Sequence, residues 1–173
     1  MKITRPRPPT PSAPKLEKLA LIGIDFKPVF GEEKVLEGQY NPKEIAIKKS
    51  ANWTEHKSST SDRPELEFTD GGTRTLTFEL MFDTFETGED VHELYVEKLF
   101  ELASVMKKEG FERQKRPSRV RVAWGPDLPR FEGVIENVDV KYTMFLPSGR
   151  PVRATCNITM KEATTASFVK KER

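Results

Sequence analysis

The sequence has a single cysteine, Cys156, so no disulfide can form within the chain and folding does not call for an oxidising compartment. It has only two histidines, His56 and His92. Neither stands at metal-ligand spacing from a partner, and a solvated side chain is expected for both. It has no long hydrophobic run. The longest, near Leu19 to Ile24, is far too short to span a bilayer. Prolines follow the basic residues at the N-terminus where a signal peptide would place an apolar segment, so no secretion signal is expected. No excess of one charge exists either: 29 Lys and Arg face 27 Asp and Glu, a net of +2. So balanced a surface does not announce a nucleic-acid or membrane partner.

The motifs of common catalysts are missing too. No serine sits in a nucleophile elbow, and no phosphate-cradling glycine loop opens a helix. Gly71-Gly72 comes just before a strand and suits a turn. Glu79 with Asp83, and Glu136 with Asp139, are carboxylate pairs on strands, but acid–base work needs two carboxylates facing one cleft. The expectation is a chain with no catalytic, cofactor-binding or metal-ligating residues, not an enzyme, and with no cofactor. Cys156, within a β-patterned run, reads as a small core residue.

What is present is strand pattern. Arg74 to Thr84 alternates most clearly, with Leu76, Phe78, Leu80 and Phe82 on one face. Phe131 to Phe145 is a long β run that puts Val134, Val138, Val140, Tyr142 and Met144 on one face. Glu136 interrupts that face, so a bulge is expected near Ile135 and Glu136. Pro147-Ser148-Gly149 reads as a turn, and Val152 to Met160 pairs back with Val152, Ala154, Cys156, Ile158 and Met160 inward. These two segments predict a long antiparallel hairpin. Its last strand turns Thr155, Asn157 and Thr159 outward, which suits a face toward other subunits or a water-filled lumen.

Shorter strands are expected at Leu19 to Phe26, Lys34 to Gln39 and Arg119 to Trp124. Another covers Glu44 to Trp53, with Ile45, Ile47, Ala51 and Trp53 on one side. Thr54 to Gly72 is polar and reads as a long loop, with a short strand at Leu66 to Phe68. One helix is expected from Val91 to Lys108, with Asp90 as its N-cap, Glu93 at capping-box spacing and Gly110 as its stop. Residues 1–14 read as an extended Pro-rich arm, 15–163 as a β domain and 164–173 as a polar basic tail. The run Lys107 to Arg121, with Lys108, Arg113, Lys115, Arg116 and Arg119, offers an alternative function, a nucleic-acid or cargo-contacting module. Glu109 and Glu112 dilute it, and Phe111 alone gives aromatic interleaving.

Four segments, in order, resemble the tube domain of baseplate tube proteins of contractile injection systems. They are Gln39-Tyr40-Asn41-Pro42 with the Ile45 to Trp53 strand; Gly71 to Thr84; Gly88-Glu89-Asp90-Val91; and Phe131-Glu132-Gly133-Val134 through Pro147-Ser148-Gly149 to Ala154. The resemblance runs from about Leu19 to Lys161. It implies a mostly β fold with one main helix, like a phage tail tube: a β-sandwich or a partly closed barrel. It also implies a structural subunit of a hexameric ring, where spike hub, inner tube and baseplate proteins meet, with no membrane partner. Such a subunit folds in the cytoplasm during assembly and becomes part of an injection particle. Relatives often carry a LysM module after this domain. The chain reaches only Arg173, so that module's anchoring role is not expected here.

Overall fold

A computed structural model describes residues 16–26, 34–56, 65–106 and 116–163. The expected arm at 1–14, the tail at 164–173, and Lys107, Lys108 and Gly110 lie outside them. Nine strands are described: β1 (Ala20–Gly23), β2 (Lys34–Glu37), β3 (Ile45–Lys49), β4 (Asn52–His56), β5 (Glu65–Asp70), β6 (Arg74–Asp83), β7 (Val120–Ala123), β8 (Phe131–Phe145) and β9 (Pro151–Glu162). Between β6 and β7, a π turn at His92–Val96 runs directly into α1 (Glu97–Ala103). Seven strands form one antiparallel sheet in the order β2-β1-β7-β8-β9-β6-β3, and β4 and β5 form a separate ribbon. The fold is mostly β, and neither sheet closes on itself.

The core lies on one face of the large sheet, beneath the helix. Leu76, Phe78, Leu80 and Phe82 from β6 meet Ala154, Cys156, Ile158 and Met160 from β9, as alternation predicts. Leu19, Leu21, Leu36, Val120, Val122 and Phe131 bring the other strands into the same cluster. The helix adds Val91, Val96, Leu99 and Leu102, all fully buried. Each large side chain contributes on the order of 1.5–3 kcal/mol by leaving water. Burial pushes the Cys156 thiol up to about 12, as suits a core residue.

The long hairpin forms as expected, with Val138 opposite Ile158 and Val140 opposite Cys156. The bulge forms too. Ile135 pairs with Met160 and Asn137 with Thr159, leaving Glu136 as the extra residue. An inserted residue reverses the side-chain parity. Before the bulge the buried positions are Phe131, Gly133 and Ile135; after it, Val138, Val140 and Tyr142 turn to the core. Val134 therefore points away from the face expected for it and pairs with Lys161. Gly133 is required by space: a Cβ there would sit 2.1 Å from the Lys161 carbonyl oxygen.

Side-chain amides do backbone work in the Gln39-Tyr40-Asn41-Pro42 segment. The Gln39 amide donates to the Asp83 carbonyl at 2.8 Å and accepts the Asp83 N–H at 2.7 Å. The Asn41 amide accepts the Leu19 N–H at 3.0 Å and donates to the Glu17 carbonyl at 2.8 Å. Each imitates one rung of a strand ladder. Gln39, just past β2, thereby bridges to the end of β6 on the far side of the sheet, where no backbone ladder closes the circle.

The helix starts as expected and ends early. The Asp90 carboxylate accepts the His92 N–H at 2.8 Å. The first turn is π-type: Glu97 N–H bonds to the His92 carbonyl, five residues back. The widened turn brings Val91 and Val96 onto the buried side and leaves Leu94 and Tyr95 half-buried. Tyr95 stacks on Phe82 at 4.5 Å. The helix stops at Ala103, not Lys108. Ser104 is extended, its hydroxyl donates to the Phe100 carbonyl at 2.6 Å, and Val105 then bridges to Pro117. Strand-like pairing with the return segment outweighs helical propensity here. That return segment is anchored by Asp25, which is buried and accepts from Arg116 Nη1 and Arg119 Nη2, each at 2.7 Å, and from the Arg119 N–H at 3.0 Å. Burial alone would raise this carboxyl, but the bonds from Arg119 and Arg116 win and hold it down at about 2.

Candidate assembly interface

Strand ladders need partners on both sides, and several here have one side only. β7 pairs with β8 only through Phe131, Glu132 and Gly133. From Val134 to Phe145, the β8 edge facing away from β9 has no main-chain partner among the described residues. β3, at the other margin of the same four strands, pairs with β6 alone among the described residues, and Ile47 on it is 44% exposed. Among the described residues β2 pairs with β1 alone, and Val35 on it is 48% exposed. Such edges invite pairing with another chain.

The second feature is the β4–β5 ribbon. Within the expected loop the strand at Leu66 to Phe68 forms as part of β5 and pairs with β4, and the expected single strand from Glu44 to Trp53 breaks at Ser50-Ala51. β3 and β4 run into β6 and β5 as one long ribbon with a joint in it. Gly72 sits at the joint, where a Cβ would lie 2.9 Å from the Ser50 carbonyl oxygen. Every described residue of β4 and β5 is exposed. Register still sorts their side chains. Trp53 lies opposite Phe68 and Glu55 opposite Leu66, so Trp53, Phe68 and Leu66 share one face with Glu55. Trp53 and Phe68 touch edge to face at 5.4 Å. The other face is polar: Thr54 meets Thr69 at 2.8 Å, and His56 meets Glu67 at 2.7 Å. Among the described residues nothing packs behind the face that carries Trp53, Leu66 and Phe68.

The third feature is the sheet face turned away from the core. Three rows cross it: Met81–Thr155–Lys141, Glu79–Asn157–Asp139 and Thr77–Thr159–Asn137. Thr155, Asn157 and Thr159 are half-buried, as expected of the outward side of β9. Arg153 pairs with Asp83 at 2.6 Å, and Lys161 with Glu136 at 2.5 Å, so charges on this face largely cancel. The Asp83 carboxyl is lowered, first by the Phe85 N–H and then by Arg153.

The remaining candidates separate. His56 is exposed, as expected, though paired with Glu67. His92 is half-buried instead of solvated: Nδ1 lies 2.5 Å from the Tyr142 hydroxyl, because the helix start packs over β8. Of the basic run, Arg116 and Arg119 clasp Asp25, and Arg121 pairs with Glu132 at 2.8 Å. Lys107, Lys108, Arg113 and Lys115 lie outside the described residues. No three His, Cys, Asp or Glu converge to hold a metal among the described residues, and no helix there is long and apolar enough to cross a membrane.

Residues 15–171 match the family described as contractile injection system tube protein. No curated protein matches the chain. The chain belongs to the contractile injection system tube family, and it is a structural tube component of a contractile injection particle.

Proposed function

We propose that this tube-family chain is a ring subunit, six to a ring, at the junction of the spike hub, the inner tube and the baseplate of a phage-tail-like particle. One observation carries the reading. The four strands β8-β9-β6-β3 end on two margins that lack partners among the described residues, β8 beyond Gly133 on one side and β3 on the other. The two margins differ, so a copy can pair its β3 with the β8 of the next. Such a head-to-tail contact closes into a ring when the rotation allows. The finished ring covers the β3 and β8 margins, which limits open-ended pairing at those two edges. The β8–β9 hairpin then makes the lateral contacts and the β4–β5 arm the axial ones. The polar, charge-balanced outer sheet face lines the inside of the ring. The subunit works by assembly, without a catalytic site or cofactor.

Electron microscopy of the purified chain, alone and with its cognate tube and spike-hub proteins, tests this. Six-membered rings that cap a tube end are expected. A chain that stays monomeric with every partner would overturn the reading.

A further inference from the structure

The polypeptide enters the described fold at a fixed spot. The Glu17 carbonyl accepts from the Asn41 amide at 2.8 Å, and the Leu19 N–H donates to the same side chain at 3.0 Å. Tyr40, next to Asn41, is 47% exposed, and Phe85, just past the Gln39 bridge to Asp83, is 51% exposed. The two rings line one cavity of about 270 Å³ with Asp83, Glu86, Thr87 and Arg153. Arg153 is committed to Asp83 at 2.6 Å, while Glu86 has no ion-pair partner among the described residues. Arg150 also reaches this turn, where it donates to the Gly88 carbonyl at 2.9 Å. From Thr84 to Glu97 the chain holds Glu86, Glu89, Asp90, Glu93 and Glu97 and no lysine or arginine. This end of the sheet is therefore aromatic and acidic.

We propose that the cavity framed by Tyr40 and Phe85 receives the chain's own Pro-rich N-terminal segment, with prolines on the rings and Arg5 or Arg7 toward Glu86. The inference concerns a single subunit and does not depend on the ring reading. Residues 1–15, outside the described residues, have the matching composition. Lys2, Arg5, Arg7 and Lys15 stand there without a single Asp or Glu. Pro8, Pro11 and Pro14 recur at a spacing of three, the period of polyproline II, so one edge of such a helix would be all proline. Prolines dock on aromatic rings at low entropic cost because their φ is fixed beforehand, and arginine stacks on ring faces. Reach is sufficient: the seven residues from Pro9 to Leu16 span about 22 Å in that conformation, and Tyr40 adjoins the residue that holds Glu17. The larger groove on the other side of Gln39, about 600 Å³ between β2 and the helix, is flanked by Lys18 and Lys98 and repels the same cations. Filling the smaller cavity covers two exposed rings that are otherwise open to unspecific contact.

The test is a disulfide trap in the full chain, Thr10→Cys with Thr87→Cys. Thr87 is exposed, and native Cys156 is buried and does not compete. The control pair is Thr10→Cys with Asp127→Cys. Asp127 is also exposed, in the turn beyond Trp124, whose indole N–H donates to the same Glu17 carbonyl at 3.2 Å, so the segment reaches both sites. Under mild oxidation the trap closes within one chain about tenfold faster than the control. Closure is read on a non-reducing gel as monomer in which, after denaturation, Cys156 alone still takes a thiol label. Equal rates for the two pairs overturn the docking. Covalent dimers in place of closed monomers mean that a neighbouring copy's segment fills the cavity, and they overturn the assignment to the chain's own. Tyr40→Ala with Phe85→Ala, added to the trap, brings the rate down to that of the control while thermal unfolding shows the fold intact; a rate that does not move overturns the aromatic contact. Arg5→Glu with Arg7→Glu slows closure about threefold, and adding Glu86→Lys restores it. A swap that fails to restore closure overturns the charge match.

Discussion

The β6–β9 pair and the β4–β5 arm are both antiparallel two-stranded ribbons, and β5 leads straight into β6. One is packed, with Phe78 and Ile158 almost wholly buried; the other is bare, with Phe68 54% exposed. Both alternate apolar and polar side chains. The difference lies in what stands behind the apolar face: in β6 and β9 a helix and five other strands, in the arm nothing among the described residues. Alternation records that a face will be covered. It does not record by which molecule. The packed ribbon belongs to the stability of the subunit, and on the proposed reading the bare one belongs to the assembly.

Substitutions can break this contrast. The largest effect is expected for Ile158→Lys, which puts an unpaired charge into the core and costs about 3–5 kcal/mol; urea unfolding of the dispersed chain measures it. Next comes acid. Asp25 has its folded pKa held at about 2, below the usual 3.8, so its ion pairs contribute fully above about pH 4. That contribution, on the order of 2 kcal/mol, is lost as pH falls through about 2. Asp25→Asn should flatten that part of the acid unfolding curve, and an unchanged curve would count against the clasp. The arm should behave in the opposite sense. Trp53→Ala with Phe68→Ala changes the unfolding free energy by less than about 0.5 kcal/mol yet abolishes attachment of rings to the tube end under the microscope. The smallest effect on folding is expected for Asn157→Lys. Its neighbours across the sheet are Glu79 and Asp139, so the new charge is tolerated in the subunit while altering the face presented to the assembly. Thermal unfolding and ring yield separate the two. Equal loss of folding in Ile158→Lys and Asn157→Lys would contradict the assignment of faces.

Much of the packed half was legible in sequence. Strict alternation in β6 and β9 gave their buried faces, and the misfit of Glu136 gave the bulge. The same bulge hid the face of Val134, since a parity change can be sensed without being located to the residue. The early end of the helix was not legible, because it depends on Val105 meeting Pro117, a contact formed only in the folded chain. His92 was read as solvated for a similar reason: its partner Tyr142 is far away along the chain. Within Thr54 to Gly72 the expected strand at Leu66 to Phe68 is there, inside β5, but the pairing of β4 with it is hidden because Ser, Thr and Glu dominate the composition. The arm's apolar face is three residues drawn from two strands, visible only once register sets Trp53 opposite Phe68. The Gln39 and Asn41 bridges explain why a short amide-rich segment marks this fold. Each amide supplies a ladder rung that the backbone cannot.

Hydrogen exchange at single-residue resolution, compared between dispersed and assembled protein, tests the central claim most directly. The outward-facing amides of β8 beyond Glu136 and of β3 should exchange readily in the dispersed chain and slow by roughly tenfold or more in the assembly, while β9 stays slow in both. Unchanged exchange along β3 and β8 in intact particles would mean that neighbouring subunits do not complete these strands.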